Sequence, residues 1–244
     1  MVSGWYAGDV YCWAFLKLEI VAERLMTYGQ AILFVALCII AEVVQVLWSV
    51  KRFKAFRLRY GLDLTPHEKA ELNASLQNFY LMSRRDGYIN WLTRGQIDNL
   101  SIACFRYYSI VTRTHNLKRG SGFFFSVVLL ELDAVQLPTF LLEPENFFQR
   151  VGADLAFHKD YDFKAHPDFS RTWQLSGDDE EAIRAFLTPE LLDFLSEFSG
   201  FCLEASGDRL LVYSKEPQWR STKHEELIQS GLAIANAFQS MNER

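Results

Sequence analysis

Between Ala31 and Val50 runs AILFVALCIIAEVVQVLWSV, in which Glu42, Gln45 and Ser49 are the polar residues. As a helix these twenty residues extend about 30 Å, the thickness of a bilayer's hydrocarbon core. Twelve of them are Leu, Ile, Val or Phe. Together they contribute about −4 to −7 kcal/mol to insertion, against a cost of about 2–3 kcal/mol for one mid-helix carboxylate. The balance predicts a single transmembrane helix over residues 28–50. A core helix of a soluble protein is rarely apolar over so long an unbroken run. A cleaved signal peptide fits less well, because the run is too long and no small-residue cleavage motif follows it.

The flanks set the orientation. Lys51, Arg52, Lys54, Arg57 and Arg59 form a basic collar within residues 51–60. The preceding side carries Lys17 and Arg24 against Asp9, Glu19 and Glu23. By the positive-inside rule the C-terminal side is cytoplasmic. The collar is expected to contact the anionic inner leaflet, each cation adding about 1 kcal/mol. Tyr28 and Trp48, Phe53 and Phe56 supply aromatics at the two edges, as membrane interfaces favour. Residues 1–27 are apolar but charge-interrupted. They read as an interfacial helix or as sequence upstream of an alternative first residue, Met26. Within the span, Cys38, Glu42, Gln45 and Ser49 recur at helical spacing on one stripe. That stripe is a candidate interface with a second copy or a partner membrane helix; the alternative is a tolerated, protonated Glu42.

Beyond Tyr60 the composition is that of a folded domain. Half of the whole chain is apolar and 23% charged, which excludes disorder and low-complexity character. Residues 61–244 carry 18 cations and 26 anions, net −8, so nucleic acid is not expected as a partner. Thr65-Pro66-His67-Glu68 reads as a capping box opening a short helix to Ser75. β-Branched and aromatic residues then mark strands at 80–83, 88–92, 97–114 and 122–132, with residues 115–121 as a hairpin tip. The last of these strands is apolar on both faces, hence central. A further strand is expected at 137–142 and a helix at 143–151. Asp178 with Glu181 should cap a helix to Ala185, and Thr188-Pro189 should start the next. Ser206-Gly207-Asp208 should turn a hairpin, and Thr222 with Glu225 should cap a final amphipathic helix. The fold class predicted is α+β: a single N-terminal transmembrane helix, then a largely antiparallel sheet with helices packed on it.

The chain contains no phosphate-binding glycine loop, nucleophile elbow or zinc-protease motif. Cys12, Cys38, Cys104 and Cys202 are too scattered for a zinc pattern and suit a reducing compartment. Cys104 reads as a small core residue. The densest polar stretch, residues 158–171, contains His158, His166 and Asp168, which are candidate metal ligands of the N/O type. Their spacing matches no defined site, and a loop of Asx and Ser turns accounts for them better. No catalytic residue and no cofactor is predicted.

The order of these features resembles a family of uncharacterised bacterial membrane-anchored proteins. The resemblance rests on Leu137-Pro138-Thr139-Phe140-Leu141-Leu142-Glu143-Pro144-Glu145-Asn146, then His166-Pro167-Asp168-Phe169-Ser170-Arg171. Gly177-Asp178-Asp179-Glu180 and the strand opened by Gly207-Asp208-Arg209 complete it. It implies placement in a bacterial inner membrane and brings no activity. The function expected is a non-enzymatic cytoplasmic interaction module held at the bilayer. The alternative is a membrane-bound enzyme, such as a metal-dependent hydrolase, using the 158–171 cluster.

Overall fold

A 33-residue helix, α1, runs unbroken from Tyr28 to Tyr60. Its stop is written in Gly61, whose φ of +62° suits a residue without Cβ. The Leu62 amide reaches back to the Arg57 carbonyl at 2.9 Å, the six-to-one bond of a Schellman end. Leu62 and Phe56 are both buried beside this turn. In this computed structural model the described residues are 28–83, 87–110, 122–132, 135–144, 161–215 and 221–242. The chain divides into two units, Met1–Arg52 and Phe53–Arg244.

In the first unit, the large apolar side chains from Leu33 to Val50 with described positions are about half exposed or more. Among the described residues no helix is long and apolar enough to cross a membrane. The side chains at 31, 32, 42, 45, 46 and 49, within the apolar run, lie outside the description.

The second unit is α+β, with a large antiparallel sheet and helices. Eight strands take the order β1-β2-β3-β4-β8-β7-β5-β6. They are β1 (Asp63–Leu64), β2 (Gly87–Ile97), β3 (Leu100–Ile110), β4 (Gly122–Glu131), β5 (Leu137–Pro144), β6 (Trp173–Gly177), β7 (Cys202–Gly207) and β8 (Arg209–Lys215). Every neighbouring pair is antiparallel. The apolar strand expected to be central is β4, lying between β3 and β8. Its alternate residues feed two cores. Val128 and Leu130 face a core with α7 (Ser221–Asn242), α6 (Pro189–Ser196), α5 (Glu180–Phe186) and α4 (Pro167–Thr172). Phe125, Val127 and Leu129 face a smaller one with α2 (Lys69–Ser75) and α3 (Tyr80–Ser83). Gly231 lets α7 lie close on the sheet: a Cβ there would meet Leu130 Cδ1 at 2.7 Å.

Several local expectations are corrected. Residues 80–83 are helix α3, not strand. The stretch 97–114 is broken by Asp98 and Asn99, whose φ values of +50° and +67° turn β2 into β3 as a type I′ pair. Glu143 and Pro144 finish β5 opposite Gln174 and Trp173 instead of opening a helix; the rest of the predicted helix, 145–151, lies outside the described residues, as does the tip 115–121. The Thr65 side chain makes no cap bond, and the box does not close: the Glu68 carboxylate turns to Arg94, 3.0 Å away, and the Thr65 amide donates to the Leu92 carbonyl at 3.1 Å. Asp179, not Asp178, caps α5, accepting from the Ala182 amide at 3.0 Å. Thr188 caps α6 as expected, and the β7–β8 hairpin forms with Gly207 at φ +62°.

Candidate functional site

The residues singled out by sequence do not assemble into one centre. His166 Nδ1 lies 2.9 Å from Asp193 Oδ1 on α6, and Asp168 pairs with Arg171 within α4. His158 lies outside the described residues. Around them the chain makes a packing corner: the Ser170 hydroxyl accepts from the Phe163 amide at 3.1 Å, and Phe163 packs on Phe169. Among the described residues no group of three or more His, Cys, Asp and Glu could hold a metal ion.

In the collar, Lys51, Arg52 and Lys54 are exposed. Arg52 stacks over Trp48, Arg57 donates to the Leu62 carbonyl at 3.2 Å, and Arg59 pairs with Glu225 at 3.3 Å. Arg57 is therefore committed to the helix end, while Lys51, Arg52 and Lys54 point their charge outward. On the stripe, Cys38 is an exposed thiol; the side chains of Glu42, Gln45 and Ser49 fall outside the description.

The most unusual chemistry was not singled out from sequence. Glu204, on β7, is 1% exposed. Its Oε2 accepts from the Tyr80 amide at 2.6 Å; its Oε1 accepts from the Leu81 amide at 3.0 Å and from Tyr213 Oη at 2.7 Å. A carboxylate from 124 residues away in sequence thus caps the four-residue helix α3. Two residues back, Cys202 lies opposite Tyr213 of β8. Glu143, also buried, lies near enough to bear on the Cys202 thiol electrostatically. A lone Glu within the apolar strand CLEASG was the available signal, since a charge is rarely left inside without partners.

Burial pushes the Cys202 thiol well up, the Glu143 and Glu204 carboxylates add to this, and the Tyr213 hydrogen bond opposes it. Burial and then Glu204 push the Tyr213 phenol up, and burial alone does the same to the Cys104 thiol. These groups hold protons more tightly folded than unfolded. Their contribution to stability is complete below the ordinary thiol value of 9.0 and is lost as pH climbs beyond it. The expected outcome is alkaline unfolding that sets in above pH 9.0, with up to about 1.4 kcal/mol lost per pH unit per group. Iodoacetamide at pH about 8 should leave Cys104 and Cys202 unlabelled until the domain is denatured, as peptide mass spectrometry would record. Labelling of either in the native state would contradict the burial.

On the same sheet face, towards the β2–β3 turn, lies an open cleft of about 470 Å3. Its rim carries Asp63, Glu68, Arg94 and Glu131 over a floor of Ala103 and Leu129. Arg94 is held by Glu68, and Arg209 lies 3.8 Å from Glu131. Two of the three carboxylates already face a guanidinium, so the cleft presents mixed charge without a converging donor set.

The chain matches no protein-family model, no curated protein and no solved structure among those compared.

Proposed function

We propose that the protein is a membrane-tethered interaction module. In this reading residues 28–50 cross the bilayer once, the collar of residues 51–60 holds its inner surface, and the α+β unit works on the cytoplasmic side of a bacterial inner membrane, binding a protein or lipid partner. One observation carries the proposal. Eleven large apolar side chains of one helix, Leu33 to Val50, are each 47–61% exposed. They spread over most of the helix's circumference instead of forming one narrow stripe, and so much exposed apolar surface on one helix calls for cover by protein or lipid. The five cations that follow within ten residues support the direction of crossing.

No corresponding observation favours the enzyme reading, since His166 and Asp168 are engaged in separate local pairs. The test is a pair of reporters fused after Arg244. A reporter that works only in the cytoplasm should be active and one that works only in the periplasm silent. Periplasmic activity would overturn the topology, and recovery of the chain in the soluble fraction would overturn the tether.

A further inference from the structure

A module that binds a protein or lipid partner leaves the open cleft of about 470 Å3 in the α+β unit without a role. We infer that this cleft binds a small linear polyamine, whose separated ammonium groups are held by Asp63 at one end and Glu131 at the other. Such a site lies wholly within the α+β unit and does not depend on the tether.

The cleft is laid out by strand register. Asp63 of β1 stands opposite Arg94 of β2, Arg94 opposite Ala103 of β3, and Ala103 opposite Leu129 of β4. Ala103 is the smallest side chain of this row and leaves a dip, and Leu129 continues its apolar floor. One row nearer the β2–β3 turn, Gln96, Ser101 and Glu131 stand opposite one another on the same face. Three strand spacings, about 14 Å, separate Asp63 from the strand that carries Glu131. Carboxylates so far apart do not converge on one ion. They suit two cations joined by a flexible chain, and a cleft of this size accepts a small organic molecule.

Charge selects a cation. Asp63, Glu68 and Glu131 line the cleft against one guanidinium, that of Arg94. Glu68 neutralises Arg94 at 3.0 Å, so the charge that remains is that of Asp63 and Glu131. Among the described residues the Asp63 side chain has no ion-pair or hydrogen-bond partner. Glu131 faces Arg209 at 3.8 Å, beyond hydrogen-bond range. The same guanidinium lies 3.8 Å from Asp208 and donates to the Ser75 carbonyl at 3.3 Å. Both carboxylates therefore keep acceptor capacity for a protonated amine. Thr65 adds a hydroxyl in the wall: its Oγ1 is buried and has no hydrogen-bond partner among the described residues, where buried hydroxyls ordinarily have one. The methylenes between the ammonium groups lie on Ala103 and Leu129, as the apolar stem of a lysine lies on a protein surface. A metal ion would need its oxygen ligands gathered at about 2.3–2.6 Å, and these are strung along a groove. The net charge of −8 over residues 61–244 draws cations towards the unit as a whole.

The test is equilibrium dialysis of radiolabelled spermidine against the full chain in phosphatidylcholine nanodiscs, with empty nanodiscs as the blank. Saturable binding at one site per chain is expected. Asp63→Asn and Glu131→Gln should each weaken it about fivefold, the worth of one exposed charge pair. Glu197→Gln removes an exposed carboxylate outside the cleft and should leave it unchanged. Butylamine, with a single ammonium group, should compete about tenfold less well than unlabelled spermidine. Asp63→Asn decides alone if Glu131→Gln lowers the melting temperature. Absence of saturable binding would overturn the site. Equal weakening by Glu197→Gln, or displacement of spermidine by an equimolar magnesium salt, would overturn it too, since either means diffuse attraction to an acidic surface.

Discussion

Glu204→Ala should cost the domain about 3–5 kcal/mol. Among the described residues the carboxylate accepts three hydrogen bonds, two of them from the first amides of α3 and one from Tyr213. Bonds to a charged acceptor contribute about 1.5–3 kcal/mol each, and a buried donor left without a partner costs about 1–3 kcal/mol. Against this, removing a buried charge recovers its desolvation penalty, which keeps the net below the simple sum. For a domain of this size the melting temperature should fall by on the order of 10 °C, readable by circular dichroism. Glu204→Gln keeps the shape and one acceptor oxygen but places an NH2 against a backbone N–H, so an intermediate loss is expected. Hydrogen exchange should quicken first at residues 80–83, because Leu81 and Met82 close the smaller core from that helix. A change within about 1 kcal/mol for Glu204→Ala would mean that α3 is held by packing alone.

The same residue explains where sequence reasoning stopped. The patterns of β4, of the β7–β8 hairpin and of α6 are local: alternation or helical spacing, bounded by Gly207, Thr188 or Pro189, and the structure has each of them. Residues 80–83 have β-prone composition, YLMS, yet are helical because two of their amides are captured by a side chain from β7. Nothing within four residues carries that information. The Asp98-Asn99 turn was legible in principle, since both residues tolerate positive φ, but the aromatic and β-branched residues on either side masked it as one long strand. The cap slipped from Asp178 to Asp179 for a similar reason: Asp178 Oδ1 is taken by the Tyr80 hydroxyl at 2.9 Å, another contact distant in sequence. The row of side chains that floors the cleft depends on the β2–β3 register, and that register includes a bulge at Trp91, whose φ is +55°. A one-residue irregularity of that kind decides which side chains share a face, and periodicity alone does not place it.

Ile40→Arg combined with Val44→Arg should abolish membrane association of the full chain. Each arginine near the centre of a span costs about 2.5–3.5 kcal/mol on an insertion scale, and the two together match the about 4–7 kcal/mol that the apolar residues of 31–50 supply. Residues 40 and 44 were chosen because helical spacing places them away from the Cys38, Glu42, Gln45 and Ser49 stripe. The double variant therefore challenges lipid contact and leaves the polar stripe intact. Carbonate extraction of membranes should move the variant from the pellet to the soluble or aggregated fraction, while the parent chain stays with the membrane. Glu42→Leu is the complementary change. It should leave extraction unaltered, since it makes the run more apolar, but lower self-association or partner cross-linking through Cys38 if the stripe is an interface. The two variants separate two claims about one helix. Retention of the double-arginine chain in the membrane would mean that something other than the 31–50 run holds it there. An unchanged cross-link in Glu42→Leu would assign the carboxylate no part in helix pairing.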